Sequence, residues 1–89
     1  MRTLIRKSQF KKDFKKLRSS QRQIDVLKST IGKLAAGEDL PASFRDHALG
    51  GKYANCRECH LAGGWLLIYQ RDAQELILIR TGSHSELFE

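Results

Sequence analysis

His47, His60 and His84 are the side chains of this 89-residue chain best suited to chemistry near neutral pH. An imidazole can accept or donate a proton in that range, because its unperturbed pKa is about 6.5. Each of the three stands among polar residues, in the segments RDHAL, RECHL and TGSHS. Glu58 precedes His60 by two positions, and residues two apart in a strand share a face. The pattern therefore predicts a carboxylate–imidazole pair for acid–base chemistry, with the other two histidines as candidates for the same site.

Cleavage of an RNA phosphodiester bond is the chemistry that best suits histidines combined with Lys and Arg. The ribose 2′-hydroxyl must lose a proton to attack phosphorus, and the 5′-oxygen must gain one to leave. Arg80 would stabilise the charge that builds on the phosphoryl oxygens, and Lys52 lies on the predicted strand face of the acid–base pair. Trp65 and Phe88 offer aromatic faces on which bases could stack. Trp65 also heads an apolar strand, so a role as a core anchor stays equally open.

The segment CRECH, residues 56–60, matches the Cys-x-x-Cys-His pattern of covalently attached c-type haem. Residues three apart in a strand point to opposite faces, so Cys56 and Cys59 cannot grip one haem or one zinc ion. A structural zinc also needs four ligands, and the chain has no second Cys-x-x-Cys. We therefore expect no metal and no haem, and expect the cysteines to be small, semi-buried side chains. Arg57 faces away from the acid–base pair and is expected to form a structural ion pair with Asp46.

Positive charge is concentrated at the start of the chain. Residues 1–33 carry eleven Lys and Arg against two acids, whereas residues 34–89 carry five against eight, for a net charge of +6. This density favours binding to a polyanion or an acidic partner. The longest apolar runs, WLLIY and LILI, are too short to span a membrane, and no apolar segment of a signal peptide follows the basic start. With only two cysteines, we expect a cytoplasmic protein without a membrane partner.

The elements that must position these side chains follow from the hydrophobic periodicity. TLIRK (3–7) predicts a short first strand, and Ser8 is the expected N-cap of the helix that follows. A second helix is expected to end at Gly37. The run 52–61 alternates as a strand does, and WLLIYQ and ELILIR, joined by RDA, predict two strands in the middle of a sheet. The apolar faces of the two helices consist of Phe10, Phe14 and Leu17 in the first and Ile24, Leu27, Ile31 and Leu34 in the second.

The order β-α-α-β-β-β predicts an α+β fold, as a single domain over residues 1–89. Both N-terminal helices would pack on one face of a mostly antiparallel sheet. The opposite face would then be free for a substrate or a partner. A chain of this length buries only about 60–65% of its unfolded surface, so we expect one modest core.

Two segments resemble a known family of bacterial toxins. DHALGGKYANCRECHLAGGWLLIY (46–69) and LIRTGSHSELF (78–88) are similar to the YafQ branch of the RelE superfamily. The shared pattern is D-H-x-L-x-G, R-D/E-x-H, W-x-L-I-Y and R-T/L-G-S/T-H-x-x-L-F, and it covers about half of the chain. The resemblance implies a RelE-like fold and the toxin of a type II toxin–antitoxin pair. Such toxins cleave mRNA, typically in the ribosomal A site, and a cognate antitoxin that wraps the basic surface silences them.

The resemblance also implies roles for individual residues. It places the functional arginine on Arg80, and it implies no metal and no cofactor. The three functional histidines and the two aromatic residues that contact bases or close the site fall on His47, His60, His84, Trp65 and Phe88. One position departs from the family pattern, because Gly64 stands where these toxins carry an Asp before the Trp. Glu58 is the candidate to replace that carboxylate.

The assignment of proton-transfer roles stays open at this point. His60 or Glu58 would be the base, and His84 the acid. Arg80 and Lys52 would hold the phosphate, and the remaining histidine, at position 47, would orient the substrate or help to hold it. The missing Asp leaves one alternative function, a non-catalytic RNA- or ribosome-binding module of the same fold.

Overall fold

The structure is a computed structural model that describes residues 1–16, 21–61 and 64–88. These residues form five strands and three helices. The strands are β1 (Thr3–Arg6), β2 (His47–Ala48), β3 (Arg57–His60), β4 (Trp65–Arg71) and β5 (Glu75–Ser83). The helices are α1 (Ser8–Lys15), α2 (Gln21–Ala35) and α3 (His84–Phe88), and two 3-10 turns lie at Ala42–Phe44 and Gly51–Tyr53.

The strands form one mixed sheet in the order β1-β5-β4-β3-β2. β1 pairs with β5 in parallel, and the other three pairings are antiparallel. The predicted α+β fold with a mostly antiparallel sheet is therefore confirmed. The apolar runs of β4 and β5 correctly predicted that these two strands lie in the middle, where both faces of a strand are covered.

Helices α1 and α2 cover one face of the sheet, as predicted. The end of α2 follows the expected pattern, because Gly37 takes a φ of 82° and its N–H donates to the carbonyl of Leu34. The start of α1 differs from the prediction. The N-cap is Lys7, and Ser8, which was expected to be the cap, is already helical. The predicted apolar position Leu17 lies outside the described residues. The buried cluster on this face consists of Phe10, Leu27, Leu34, Cys59, Leu67, Tyr69, Leu76 and Leu78.

The opposite face is not free, which corrects the prediction from the sequence. Helix α3 and the turn Gly51–Tyr53 cover it, and neither element was predicted. A cover is needed because β4 carries apolar side chains on both faces, and exposed ones would have to meet water. The second buried cluster consists of Tyr53, Cys56, Leu66, Ile68 and Leu87.

The predicted strand over 52–61 is wrong in its first half. Only Arg57–His60 is a strand, because Asn55 adopts a φ of 70° that extended backbone does not allow. The sequence also missed β2, a strand of two residues. Within the described residues, none of the helices combines the length and the apolar composition needed to cross a bilayer; the longest, α2, has 15 residues.

Truncation of Leu67 should test the central position of β4. Its side chain is fully buried between the helices and the sheet, so Leu67→Ala should lower the free energy of unfolding by about 2–5 kcal/mol. Leu4, on the edge strand β1, is 44% exposed, and Leu4→Ala is the matched control with an expected loss below about 1 kcal/mol. Urea denaturation followed by circular dichroism measures both. Equal losses of unfolding free energy in the two variants would contradict the central position of Leu67.

Candidate active site

The pairing of β2 with β3 brings two histidines to one carboxylate. His47 lies directly opposite Glu58 in the register, and His60 is two residues further along the strand of Glu58. The Nε2 atoms of the two rings lie 3.5 and 3.3 Å from the same oxygen, Oε1 of Glu58. Their ring centroids are 6.1 Å apart. The predicted carboxylate–imidazole pair is therefore part of a cluster of three, which is called the His–Glu–His cluster below.

The three members of the His–Glu–His cluster differ in their access to solvent. The Glu58 side chain is 6% exposed, whereas those of His47 and His60 are 48% and 35% exposed. A carboxylate at these distances can accept a hydrogen bond from either ring and hold its orientation. The geometry therefore presents two imidazoles to a ligand and keeps the carboxylate behind them.

The tautomer of His47 follows from its backbone contact. Its Nδ1 lies 2.6 Å from the carbonyl oxygen of Arg45, and a carbonyl only accepts, so Nδ1 carries the hydrogen. In the neutral ring, Nε2 therefore has a free lone pair, and a second proton would be placed towards Glu58. Arg45 itself adopts a left-handed conformation, with φ 49° and ψ 44°. This conformation is uncommon for a non-glycine residue, and such strain often lies next to a functional site.

A half-buried polar network holds β2 against β3 from the other side. Arg57 donates from Nε to Oδ1 of Asp46 at 2.9 Å, which confirms the predicted ion pair. The hydroxyl of Tyr69 donates to Oδ2 of the same carboxylate at 2.6 Å. Burial and the neighbouring Asp46 both raise the pKa of Tyr69, so its hydroxyl stays protonated and keeps donating. The network therefore fixes the residue that precedes His47.

The third histidine lies on α3, on the same face of the sheet as the His–Glu–His cluster. Glu58 and His60 pair with Ile68 and Leu66, and residues directly opposite each other in a sheet share a face. Ile68 and Leu66 pack against Leu87 of α3, in the second buried cluster. Across β4, His60 is two strand spacings, about 10 Å, from β5, the strand that leads into α3.

The ring of His84 is held by an aromatic stack. It stacks on Phe88 with the centroids 4.9 Å apart, and Phe88 meets the edge of Tyr53 at 5.4 Å. The Tyr53 hydroxyl donates to the carbonyl of Leu87 at 3.0 Å, which ties the stack to α3. Tyr53 is a residue that the sequence analysis missed.

The two predicted phosphate-binding cations lie beside this stack. Arg80 is in the same row of the sheet as Glu58, since both residues pair with Ile68. Its hydrogen bond to Asp13 raises the pKa of Arg80, against the effect of burial, so it stays charged. Lys52 lies in the turn Gly51–Tyr53 rather than in a strand, with Nζ 5.4 Å from the centroid of the Tyr53 ring.

Trp65 is the predicted site residue that the structure separates from the histidines. It is half-buried and packs against the cluster under α1 and α2, on the face opposite to Leu66. It also lines a cleft with Arg80 and Lys16, so it can still meet a ligand that extends past the arginine. Trp65 therefore packs as the alternative of a core anchor predicted. A role of Trp65 in substrate binding stays a prediction.

Asp13 is the second residue that the sequence analysis missed. It lies on α1 and is 3% exposed, although five Lys surround it in the segment KSQFKKDFKK. The signal was present, because Asp13 follows the buried Phe10 by three positions and therefore shares its helical face. A single acid on the apolar face of a basic helix indicates a buried partner.

The His–Glu–His cluster is also a set of possible metal ligands. One atom from each of the three side chains lies within 4.8 Å of the other two. Two imidazole nitrogens and one carboxylate oxygen are a ligand set that zinc and copper accept. The donor set therefore fits a transition metal, and the prediction that the chain takes none stays a prediction.

The cysteines of CRECH belong to a different part of the structure. Cys59 packs in the cluster under α1 and α2, and Cys56 packs in the cluster on the other face, which confirms that they diverge. Burial, with the nearby charges of Asp46 and Glu58, raises the pKa of the Cys59 thiol to about 12. The cysteines therefore cannot bind one metal or form one disulfide without a change of fold.

Comparison with solved structures gives the class of protein. The chain superposes on a copper-bound mutant toxin from Helicobacter pylori with a TM-score of 0.88 and 45% sequence identity, covering 99% of this chain and 100% of that one. It superposes on YafQ in the Escherichia coli DinJ–YafQ complex with a TM-score of 0.88 and 31% identity, covering all of both chains. The fold is that of the RelE-like toxins.

The family follows from the sequence comparisons. The profile described as "Bacterial toxin of type II toxin-antitoxin system, YafQ" matches residues 2–89. The mRNA interferase toxin YafQ of Escherichia coli K12 is 33% identical over 81 residues, which are 90% of this chain and 88% of that protein. This chain belongs to the YafQ family of type II toxins, as the resemblance predicted.

The buried position of Cys59 predicts that it does not react in the folded protein. A thiolate is the reactive form, and with a pKa of about 12 only about 10⁻⁴ of the thiol is ionised at pH 8. Iodoacetamide at pH 8, followed by mass spectrometry, should label Cys59 at least ~10²-fold more slowly in the native protein than in urea. Labelling at the same rate in both would reopen a redox or metal role for CRECH.

Proposed function

We propose that this protein is an endoribonuclease that cleaves mRNA, and that it is the toxin of a toxin–antitoxin pair. One observation carries the proposal: the His–Glu–His cluster lies on the same face of the sheet as α3, which carries His84. Two separate proton-transfer groups, with the cation Arg80 in the same row of the sheet as Glu58, are what cleavage at a ribose 2′-hydroxyl requires. The name of the Escherichia coli relative, mRNA interferase toxin, supports the same substrate.

The burial of the cluster favours His60 over Glu58 as the base. Glu58 is only 6% exposed, so a ribose hydroxyl reaches the imidazole in front of it more easily. With Nε2 of His60 directed at the carboxylate, Nδ1 is the nitrogen that accepts the proton. Glu58 then stabilises the imidazolium that forms, as a carboxylate does behind the histidine of a catalytic triad. This arrangement also supplies the carboxylate that the family has at the position of Gly64.

His84 is the acid in this proposal. Its ring is exposed at the surface and held by the stack on Phe88, so it can donate a proton to the leaving 5′-oxygen. The 2′-oxygen bonds to phosphorus as the bond to the 5′-oxygen breaks, which leaves a 2′,3′-cyclic phosphate and a 5′-hydroxyl. Arg80 and Lys52 neutralise charge on the phosphoryl oxygens meanwhile. His47 orients Glu58 or adds a further contact to the phosphate.

The charge of the chain supports RNA and ribosomes as partners. Residues 1–33 hold eleven of the sixteen Lys and Arg, and α1 presents three exposed lysines. We propose that this surface binds mRNA on the ribosome, at the A site, and therefore that the protein acts in the cytoplasm. The DinJ–YafQ complex of the Escherichia coli relative suggests that a cognate antitoxin covers the protein when it is silent.

A non-catalytic RNA- or ribosome-binding module is the second candidate. The observation that favours it is Gly64, which stands where these toxins carry an Asp. Gly64 has a φ of 79°, a conformation in which an Asp would be strained. This candidate predicts binding to RNA or ribosomes without cleavage, so a single assay separates the two.

Replacement of the proposed base and acid should suppress cleavage. In EDTA, with and without ribosomes, His60→Ala and His84→Ala should each lower the rate of mRNA cleavage by ~10²-fold or more, because each removes one proton transfer. Glu58→Gln should lower it as well, since the amide does not stabilise an imidazolium. Mass spectrometry of the products should show a 2′,3′-cyclic phosphate.

The control for these variants is Glu38→Gln, which removes an exposed charge after α2, outside the basic residues 1–33 and away from the histidines. It should keep cleavage within a few-fold of the unchanged protein. Cleavage that survives both histidine substitutions would refute the proposed mechanism. Binding of RNA with no cleavage under either condition would establish the binding module instead.

We also propose that the His–Glu–His cluster binds a divalent transition metal that inhibits cleavage. Its ligand atoms lie within 4.8 Å of one another, and the crystal structure of a mutant toxin from Helicobacter pylori, 45% identical to this chain, is copper-bound. A metal held by His47, Glu58 and His60 would occupy the groups that the proposed reaction uses. Copper(II) and zinc(II) are the ions with the highest expected affinity for such ligands.

Titration with zinc(II) should show both effects. Calorimetry of the metal-free protein should show saturable binding, and cleavage should fall as the site fills. His47→Ala should weaken the binding by ~10-fold or more, because it removes one ligand. His84→Ala, outside the cluster, is the matched control and should bind zinc as before. A rise in cleavage with added metal would contradict the metal-independent mechanism, and an absence of binding would exclude the metal proposal alone.

A further inference from the structure

Asp13 is a buried acid. The residues of its own helix, α1, do not explain why a carboxylate is buried there. It is 3% exposed, and its helix is otherwise basic and polar apart from Phe10 and Phe14. Removing a carboxylate from water is unfavourable unless partners replace the lost solvation. The reason for a charge at this position must therefore lie in the elements packed against α1.

The partners come mainly from β5, which is more than sixty residues away in the chain. Arg80 donates from Nε to Oδ2 of Asp13 at 2.7 Å and from Nη2 to Oδ1 at 3.1 Å. The backbone N–H of Thr81 donates to Oδ2 at 3.2 Å, and Gln9 donates from Nε2 to Oδ1 at 3.2 Å. Each carboxylate oxygen thus accepts two hydrogen bonds, and the orientation of the carboxylate is determined.

Asp13 and Arg80 are both charged over a wide range of pH. Burial opposes ionisation of Asp13, but the hydrogen bonds from Arg80, Gln9 and Thr81 outweigh it and lower the pKa of Asp13 below its usual value. The hydrogen bond to Asp13 in turn raises the pKa of Arg80. The carboxylate is therefore a permanent anchor for the guanidinium at neutral pH.

The two hydrogen bonds from Arg80 to Asp13 occupy one edge of the guanidinium and leave another edge that a ligand could contact. A guanidinium has five N–H donors in one plane, and Asp13 uses the edge formed by Nε and Nη2. Asp13 does not use the outer edge, formed by Nη1 and the second N–H of Nη2, and the Arg80 side chain is 21% exposed. Tyr53 is a second polar neighbour that raises the pKa of Arg80, and its ring contacts Phe88, on which His84 stacks. Tyr53 therefore links Arg80 to the stack that holds the proposed acid.

We infer that Asp13 is a positioning residue of the active site, which orients Arg80 so that its outer edge meets the scissile phosphate of the RNA. This inference rests on the proposed function, because it needs Arg80 to contact the phosphate. An arginine held on one edge is pre-organised for two-bond contact with a phosphate. Small errors in such positioning lower the rate of the chemical step more than they lower substrate binding.

A purely structural ion pair predicts something different. If Asp13 only joined α1 to β5, its loss would lower the melting temperature of the protein but leave kcat unchanged at temperatures where the variant is folded. If it only neutralised Arg80, its loss would free a positive charge and strengthen RNA binding, so KM would fall while kcat stayed the same. The positioning role predicts a fall in kcat that depends on Arg80.

The test is a double-mutant cycle on cleavage of a model mRNA, with Asp13→Asn, Arg80→Ala and the double variant. Asp13→Asn should lower kcat by ~10- to 10²-fold and change KM by less than about threefold. In the Arg80→Ala background, Asp13→Asn should change kcat by less than about twofold, because the residue through which it acts is gone. Losses that multiply in the double variant would overturn the positioning role.

Two further variants keep the test decisive if Asp13→Asn fails to fold. Gln9→Ala removes one hydrogen bond from the carboxylate at an exposed position, and should lower kcat a few-fold only when Arg80 is present. Arg80→Lys keeps the charge but lacks the two-bond edge, and should lose about as much kcat as Arg80→Ala. Full activity in Arg80→Lys would show that charge suffices, and would overturn the inference. Thermal melts confirm that each variant is folded at the assay temperature.

The possible failures are distinguishable. If Arg80→Ala abolishes cleavage and a folded Asp13→Asn cleaves like the unchanged protein, the positioning role is wrong and the proposed nuclease stands. If Arg80→Ala cleaves like the unchanged protein, Arg80 does not contact the phosphate, and the inference falls with that assignment. If the unchanged protein does not cleave RNA at all, both the proposed function and the inference are wrong.

Discussion

A carboxylate that is almost fully buried needs charged or hydrogen-bonding partners, because water no longer solvates it. At Glu58 those partners are the imidazoles of His47 and His60, and a single oxygen lies within 3.5 Å of both Nε2 atoms. The pairing of β2 with β3 places one ring, and the two-residue period of β3 places the other. The contacts around the buried carboxylate are thus the same contacts that place both rings next to a ligand. A change in that register would lose these contacts and the site together.

The second constraint is the apolar character of β4 on both faces. Helices α1 and α2 cover one face, and the other needs a cover of its own, which α3 and the turn Gly51–Tyr53 provide. This cover does more than exclude water. It carries Tyr53, Phe88 and His84: His84 stacks on Phe88, and Phe88 meets the edge of Tyr53, so Tyr53 both completes the second core and supports the ring that holds the proposed acid. The same residues thus pack the sheet and position a proposed catalytic group, as they do at the His–Glu–His cluster.

The division of charge along the chain has a structural counterpart. The basic first third of the chain forms α1 and α2 on one face, and the histidines lie on the other. The Asp13–Arg80 pair is a polar contact between the two, since it joins the basic helix α1 to the strand in which the proposed phosphate contact lies. Membership of the YafQ family agrees with this arrangement, because a toxin of this kind has to bind RNA and also present a surface to its antitoxin.

The features that could be predicted from the sequence are those that depend on local periodicity. The sequence predicted α1, α2, β4 and β5, the shared strand face of Glu58 and His60, and the divergence of the two cysteines, because side-chain direction in a regular element depends only on spacing. It did not predict β2, α3, or the roles of Asp13 and Tyr53. These features are too short to have a period, or they depend on partners such as Arg80 and Leu87, 67 and 34 positions away. Only the tertiary structure decides which distant residues meet, since a buried polar group is stabilised by whatever partner the fold brings to it.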